Sequence, residues 1–200
     1  MTPPQWFVAW AALAASLISL SISVTTFMLT HRRPRVRLEL PDRVRVSDWP
    51  DRGDAYIYLQ LIFINVGRST RAEVFVPRLI LKDLGGLVEL DYVDKSKTVW
   101  DKERREVHVE YVEDASPIIV GQNSVRSELL TFKAPPGWRL RTGDYIGEVT
   151  ASPTLSSKHI RGQFSFAITA EHVRVWRDSA GRRYAMLPAR SREISSAKSG

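Results

Sequence analysis

The sequence predicts an all-β antiparallel sandwich preceded by one N-terminal transmembrane α-helix. Residues 6–30 contain no charged side chain, whereas apolar residues from 35 onward recur with period two rather than 3.6. Clusters of Gly, Pro, Asp and Ser separate the alternating runs, and no ten-residue amphipathic helix lies between them. Many short strands with frequent turns are the pattern of packed sheets. A chain of 200 residues holds one core-bearing domain plus accessories.

Residues 1–5 form a short N-terminal stretch without Lys or Arg. A helix over 6–30 is about 37 Å long, enough for a hydrocarbon core of about 30 Å with some tilt. Trp6, Phe7 and Trp10 stand where an aromatic belt would lie. A cleaved signal peptide is the rival reading. Its basic n-region is missing from "MTPPQ", and the apolar run is about twice the usual length. Ala9, Ala12, Ser16, Ser19, Ser23, Thr26 and Thr30 fall on one heptad stripe of small residues. Such a stripe lets two helix backbones approach, so a homodimer through this helix is expected. Against it, Ala, Ser and Thr are common throughout the run.

Residues 31–34 are a basic juxtamembrane segment, in which Arg32 and Arg33 are followed closely by Arg35 and Arg37. By the positive-inside rule the N-terminus lies outside, and the rest of the chain lies in the cytoplasm, at the inner (plasma) membrane. The arginines of 32–37 then face the anionic inner leaflet. Arginine outnumbers lysine 22 to 7, a compositional hint of a bacterial source.

Strand signals follow at once. Val36, Leu38 and Leu40 alternate with Arg37 and Glu39. In "AYIYLQLIFINVG" Ile57, Leu59, Leu61 and Phe63 share one face; Tyr56, Tyr58, Ile62 and Ile64 make the other half-apolar, as in a central strand. Further strands are expected over 73–82, 87–93, 106–113, 124–133, 144–152 and 160–170.

At "LRTGDYIGEVTAS" (140–152) Gly143, Asp144 and Tyr145 resemble the turn into strand F of an immunoglobulin-like β-sandwich, as found in bacterial membrane-anchored proteins. In that fold a tyrosine near the start of strand F closes the corner by hydrogen-bonding back to the backbone, and the resemblance gives Tyr145 this role. It makes "SELLTFKAPPG" strand E and "IRGQFSFAIT" strand G, and "LIFINVGRSTRAEVFV" is similar to the B–C passage. The resemblance covers 35–170 at the level of fold. Both cysteines of antibody domains are absent, and Gly147 stands in place of the second. Because Ig-like folds serve adhesion, scaffolding and sensing alike, the resemblance implies architecture rather than activity.

Catalytic chemistry is sparse. With no cysteine, disulfides and thiolate metal sites are excluded. Gly-rich phosphate loops, nucleophile elbows and HExxH are absent. His108 and Glu110 share a strand face, but a metal normally needs three or more ligands. Asp101, Glu103, Glu113 and Asp114 sit among Lys102, Arg104 and Arg105, as on a charged hairpin tip. The expectation is a protein that is no enzyme and holds no cofactor or metal.

The net charge of +7 belongs to the flanks. Residues 31–45 carry six basic and two acidic groups, and 171–200 seven and three, leaving 16 and 17 for 46–170. Within the second flank, 171–187 reads as a β-hairpin, with Val173 and Val175 alternating with arginines and "DSAG" as the turn. Residues 188–200 read as a disordered tail. Arg174, Trp176, Arg177, Arg182, Arg183 and Tyr184 form a basic, aromatic cluster of the kind found at binding hot spots. The expected function is therefore a membrane-anchored adaptor presenting a cytoplasmic Ig-like sandwich to a protein partner. A reversed topology makes it an extracytoplasmic receptor or adhesion module instead. The second alternative is a membrane-tethered nucleic-acid binder using the same six residues.

Overall fold

Period-two alternation becomes backbone pairing from Val36 onward. The computed structural model describes residues 5–30, 35–49, 53–67, 71–83, 85–102, 106–154, 159–177 and 184–192. Helix α1 (Gln5–Thr30) comes first. Seven strands follow: β1 (Val36–Glu39), β2 (Arg43–Trp49), β3 (Asp54–Asn65), β4 (Arg71–Asp83), β5 (Gly86–Asp101), β6 (Glu106–Asp114) and β7 (Ile118–Gly121). The rest are β8 (Val125–Lys133), β9 (Gly143–Pro153), β10 (Ile160–Ile168), helix α2 (Ala170–Arg177), β11 (Tyr184–Pro188) and β12 (Arg190–Arg192).

The strands pair antiparallel in the order β11-β2-β3-β8-β5-β4-β9-β10-β12, with β1 on β3, β6 on β5 and β7 on β4 as side branches. One edge of β3 is shared: β2 pairs along Asp54–Leu59 and β1 along Ile62–Asn65. Strand β5 changes partners along its length. Gly86–Asp91 pairs with β4, Asp91–Ser96 with β8, and Asp94–Asp101 with β6. Its register against β8 steps between Tyr92 and Asp94, and a bulge there bends the strand away from one partner toward another. A second step, between Phe75 and Arg78 of β4, coincides with Pro77, which has no amide proton for the ladder.

The two ends of this path meet on one segment of chain. Strand β11 pairs with β2 and β12 with β10, with Ala189 alone between them. The Ala189 amide donates to the Asp42 carbonyl at 2.7 Å. Leu187 on this segment is fully buried. The hydrogen-bonded sheet is not a closed barrel, but one nine-residue stretch supplies the strands at both ends of its path.

The inward faces share a single core that includes Ile57, Leu59, Leu61 and Phe63, each fully buried. Tyr145 is buried, stacked on Phe166 with ring centroids 5.2 Å apart. Its hydroxyl accepts from the Arg141 amide at 2.8 Å and donates to the Arg141 carbonyl at 2.9 Å, so the backbone bond expected of this tyrosine is present. Gly143 enters β9 at φ 149°, a conformation that side chains rarely adopt. Gly147 faces Phe164 across the β9–β10 ladder.

Several expectations need correction. Strand β2 was not foreseen, and β5 runs past residue 93 to Asp101. The first arm of the expected 171–187 hairpin is α2, not a strand. The alternation of Val173 and Val175 competes there with the i,i+3 spacing of Val173 and Trp176, and a local cap tips the balance. The His172 amide reaches Thr169 Oγ1 at 3.4 Å, and the Thr169 amide reaches His172 Nδ1 at 3.1 Å. This reciprocal pair is a capping box with histidine in the usual glutamate position. The second arm is the strand β11, yet its partner is β2. Residues 188–192, expected to be disordered, are ordered in β11 and β12; 193–200 lie outside the described residues.

A Cβ at Gly147 would fall 2.3 Å from the Phe164 ring, which is itself enclosed in the core. Gly147→Ala should destabilise the domain by about 1–3 kcal/mol, measured by urea unfolding. A loss below about 0.5 kcal/mol would mean that the ring shifts aside freely.

Candidate recognition surface

Alternation that buries Val44 and Val46 turns Arg45 and Ser47 to the outer face of β2. Pairing then sets two rows of side chains across four strands. Ser47 lies opposite Tyr184 on β11 and Tyr56 on β3, with Lys133 of β8 beyond. Arg45 lies opposite Met186 and Tyr58, with Thr131 beyond.

The rings form a continuous series. Trp49 meets Tyr56 at 6.0 Å, Tyr56 stacks on Tyr58 at 6.4 Å, and Tyr58 meets Tyr184 edge-on at 5.4 Å. Two cations lie over them: the Arg45 guanidinium 5.8 Å from the Tyr184 centroid and Lys133 Nζ 5.6 Å from that of Tyr56. Asp54 holds both the Tyr56 hydroxyl, at 3.2 Å, and the Lys133 ammonium, at 3.0 Å. The hydrogen bond that Lys133 donates to Asp54 also raises the Lys133 pKa.

The β5–β6 ribbon folds across part of this face. Thr98 Oγ1 accepts from Arg45 Nη1 at 3.4 Å, and Ser96 bonds Thr131 at 2.8 Å. Val109, opposite Thr98, closes a second small core with Tyr58 and Leu129. Arg45 is consequently only 7% exposed, and burial lowers its pKa. Two positions further along the same ribbon face, Trp100 and Val107 pair and remain exposed, as does Met186 of β11. The ribbon thus encloses Arg45 and Tyr58 and leaves the half-buried Tyr56, Tyr184 and Lys133 as the open part of this face, with exposed apolar side chains at its margin. The physical capacity of this face is contact and charge recognition.

The cluster expected from the sequence is divided by the fold. Trp176 is in the core at 3% exposure, so it offers no surface to a partner. Its ring stacks on His172 at 6.4 Å. Arg174 is exposed on α2, and Arg177 ends that helix with its side chain outside the described set. Arg182 and Arg183 lie outside the described residues. Tyr184 is half-buried and joins the aromatic series. Arg45, Tyr56, Tyr58 and Lys133 were missed as site residues; the signal was the alternation in "RVRVSDW" together with the polar rings on the second face of β3.

Along α1 the described side chains from Trp6 to Met28 are exposed, including Trp10 and the stripe from Ala9 through Ala12, Ser16, Ser19 and Ser23 to Thr26. Arg35 and Arg37 are exposed at β1, whereas Arg32 and Arg33 lie outside the described residues. Asp144 is exposed at the start of β9.

Other sites resolve into local pairs. Glu110 bonds His108 at 3.0 Å and Lys97 at 3.1 Å, and these bonds hold its carboxyl below the usual range. Glu113 is held by Lys95 and Ser116, and Asp114 by the Tyr111 hydroxyl at 3.1 Å. A cleft of ≈ 380 Å³ beside α2 is lined by Asp48, Arg139, Leu140, Arg141, Val173 and Trp176 among others, but Asp48 and Arg139 already pair with each other. Among the described residues no group of three or more His, Cys, Asp or Glu is placed to hold a metal ion. Comparison with protein-family models, curated proteins and solved structures returned no match.

Two predictions follow from this packing. Trp176→Ala should cost about 3–5 kcal/mol, whereas Arg174→Ala on the exposed side of the same helix should stay within about 0.5 kcal/mol. Chemical denaturation of both variants checks this, and equal losses would refute the assignment of faces. The second concerns alkaline pH. Burial raises the hydroxyl pKa of Tyr58 and Tyr145 and pushes that of Tyr92 up to about 12. Protons held more tightly in the folded state leave stability intact below the ordinary tyrosine value, about 10, and reduce it as pH rises through that value. Unfolding free energy should fall from about pH 9 to about pH 11, and more gently in Tyr58→Phe.

Proposed function

We propose that this chain is a membrane-anchored, non-enzymatic interaction module. In this reading α1 spans the inner membrane once, and an Ig-like sandwich stands in the cytoplasm and binds a protein partner. One observation carries it. The apolar span Trp6–Met28 contains an 18-residue window with a mean hydropathy of 2.0, and none of that window is buried against the rest of the protein. An apolar helix of this length left wholly bare would be a severe exposed patch in water, whereas a bilayer satisfies it.

The Ig-like architecture draws support from pairing as well as from Tyr145. Strands β1, β3, β8 and β5 are neighbours as A, B, E and D would be, and β4, β9 and β10 as C, F and G would be. The cytoplasmic orientation rests on Arg32, Arg33, Arg35 and Arg37 following the apolar span. For the partner surface the strongest support is the half-buried pair Tyr56 and Tyr184 with Lys133, with Trp100 and Met186 exposed near them. Aromatic residues and arginine dominate contact energies at protein interfaces.

Protease digestion of intact and lysed spheroplasts tests the reading. The β-domain should survive in intact spheroplasts and be cut only after lysis. Digestion before lysis would reverse the topology and favour an extracytoplasmic receptor. Recovery in the soluble fraction would end the anchoring reading altogether.

A further inference from the structure

The end of the β-domain that follows α1 is built around Asn65. Its side chain is fully buried, accepting from the Gly67 amide at 3.1 Å and donating to the Val120 carbonyl at 3.4 Å. The Asn65 amide donates to the Ser124 carbonyl at 3.1 Å, and the Val66 amide to the Arg35 carbonyl at 2.9 Å. Gly67 lies against the Arg35 backbone too closely for any side chain, since a Cβ there would be 2.7 Å from the Arg35 nitrogen. These contacts bring three separate stretches, at Arg35, Val66 and Val125, side by side in a fixed arrangement.

The surface they present combines apolar and basic groups. Val66 and Val125 are 59% and 63% exposed, among the most exposed large apolar residues of the β-domain. Arg37, Ile64 and Val125 are aligned across β1, β3 and β8, and Arg35 is exposed beside them. Arg71 and Arg126 flank the patch, each paired with a glutamate, Glu73 and Glu128. Exposed valines rimmed by arginines are the composition of a surface that rests in a headgroup layer.

The tether to the helix is short. Five residues, 31–35, join the end of α1 to this patch, so Arg35 lies within about 17 Å of the helix end even with the chain fully extended. Helix α1 is about 39 Å long against a hydrocarbon core of about 30 Å, so its end already reaches the headgroups.

Resting on the reading that α1 spans the membrane, we infer that Val66, Val125, Arg35 and Arg37 form a docking surface for the anionic phospholipid bilayer. The domain lies base-down on that bilayer. The β4–β5 hairpin and α2, at the opposite end, point away, and the aromatic face stands along the side, open to partners approaching parallel to the membrane.

The natural chain has no cysteine, so single labels are unambiguous. Nitroxides attached to full-length V66C, V125C, S16C and L87C variants would be reconstituted into bilayers containing phosphatidylglycerol, and into phosphatidylcholine alone. Accessibility to an aqueous nickel chelate is then measured. Ser16 is central in α1, and Leu87 is 74% exposed on the distant hairpin. In phosphatidylglycerol bilayers V66C and V125C should be several-fold less accessible than L87C, and the difference should shrink in phosphatidylcholine alone. Accessibility equal to that of L87C, with S16C protected, overturns the docking surface and leaves the spanning helix standing. Equal protection in both lipids overturns the anionic preference. Free access of the chelate to S16C overturns the spanning helix and this inference with it.

Discussion

The nine residues from Tyr184 to Arg192 join the two ends of the strand path. A sheet that ends in open edges leaves backbone donors and acceptors of β2 and β10 to water or to another chain. Here β11 pairs along Arg43–Ser47 of β2 and β12 along Gln163–Ser165 of β10, with Ala189 bonded to Asp42 at the crossing and Leu187 inserted into the core. The core depends on this seam because its two walls meet there. Helix α2 belongs to the same closure, since Trp176 fills the core beside β2. A basic tail that looks dispensable in composition is thus part of the folded unit. Removing it to test binding would test stability instead.

The seam also couples stability to the candidate recognition surface. Strand β11 turns Leu187 inward while Tyr184 and Met186 face out beside Arg45 and Tyr58. The aromatic series thus crosses β3, β2 and β11, and its order requires that β11 be seated. The β5–β6 ribbon holds it from the other side, through Thr98 on Arg45 and Val109 on Tyr58. A guanidinium so nearly enclosed, resting on the Tyr184 ring and the Thr98 hydroxyl, is costly to bury. Exposed Trp100 and Val107 lie where the ribbon extends beyond these contacts.

Much of the strand content was legible from alternation. Ile57, Leu59, Leu61 and Phe63 are inward as their spacing requires, and "GDY" at 143–145 led to a tyrosine that bonds its own corner. Strand β2 escaped because only Val44 and Val46 mark it, between arginines and an Asp-Trp-Pro turn signal. Helix α2 escaped because eight residues fit both periods, and the Thr169–His172 cap that decides between them is not the usual Ser/Thr–Glu pair. The basic cluster of the tail was legible only as composition. Burial of Trp176 and insertion of Tyr184 into another strand's face depend on contacts far away in the sequence.

By itself, the sequence determined the apolar N-terminal helix and most of the strands. An uncharged run of the right length, an arginine knot after it, and inward-facing aliphatic residues at every second position are local properties, set by side-chain chemistry and backbone period. Tertiary structure alone decided which strands became neighbours, and with that which side chains share a surface. Arg45, Tyr56, Tyr58, Lys133 and Tyr184 come from four strands, and only register places them in adjacent rows. Register is a property of the whole sheet, because shifting any one strand by a residue would turn its buried face to water.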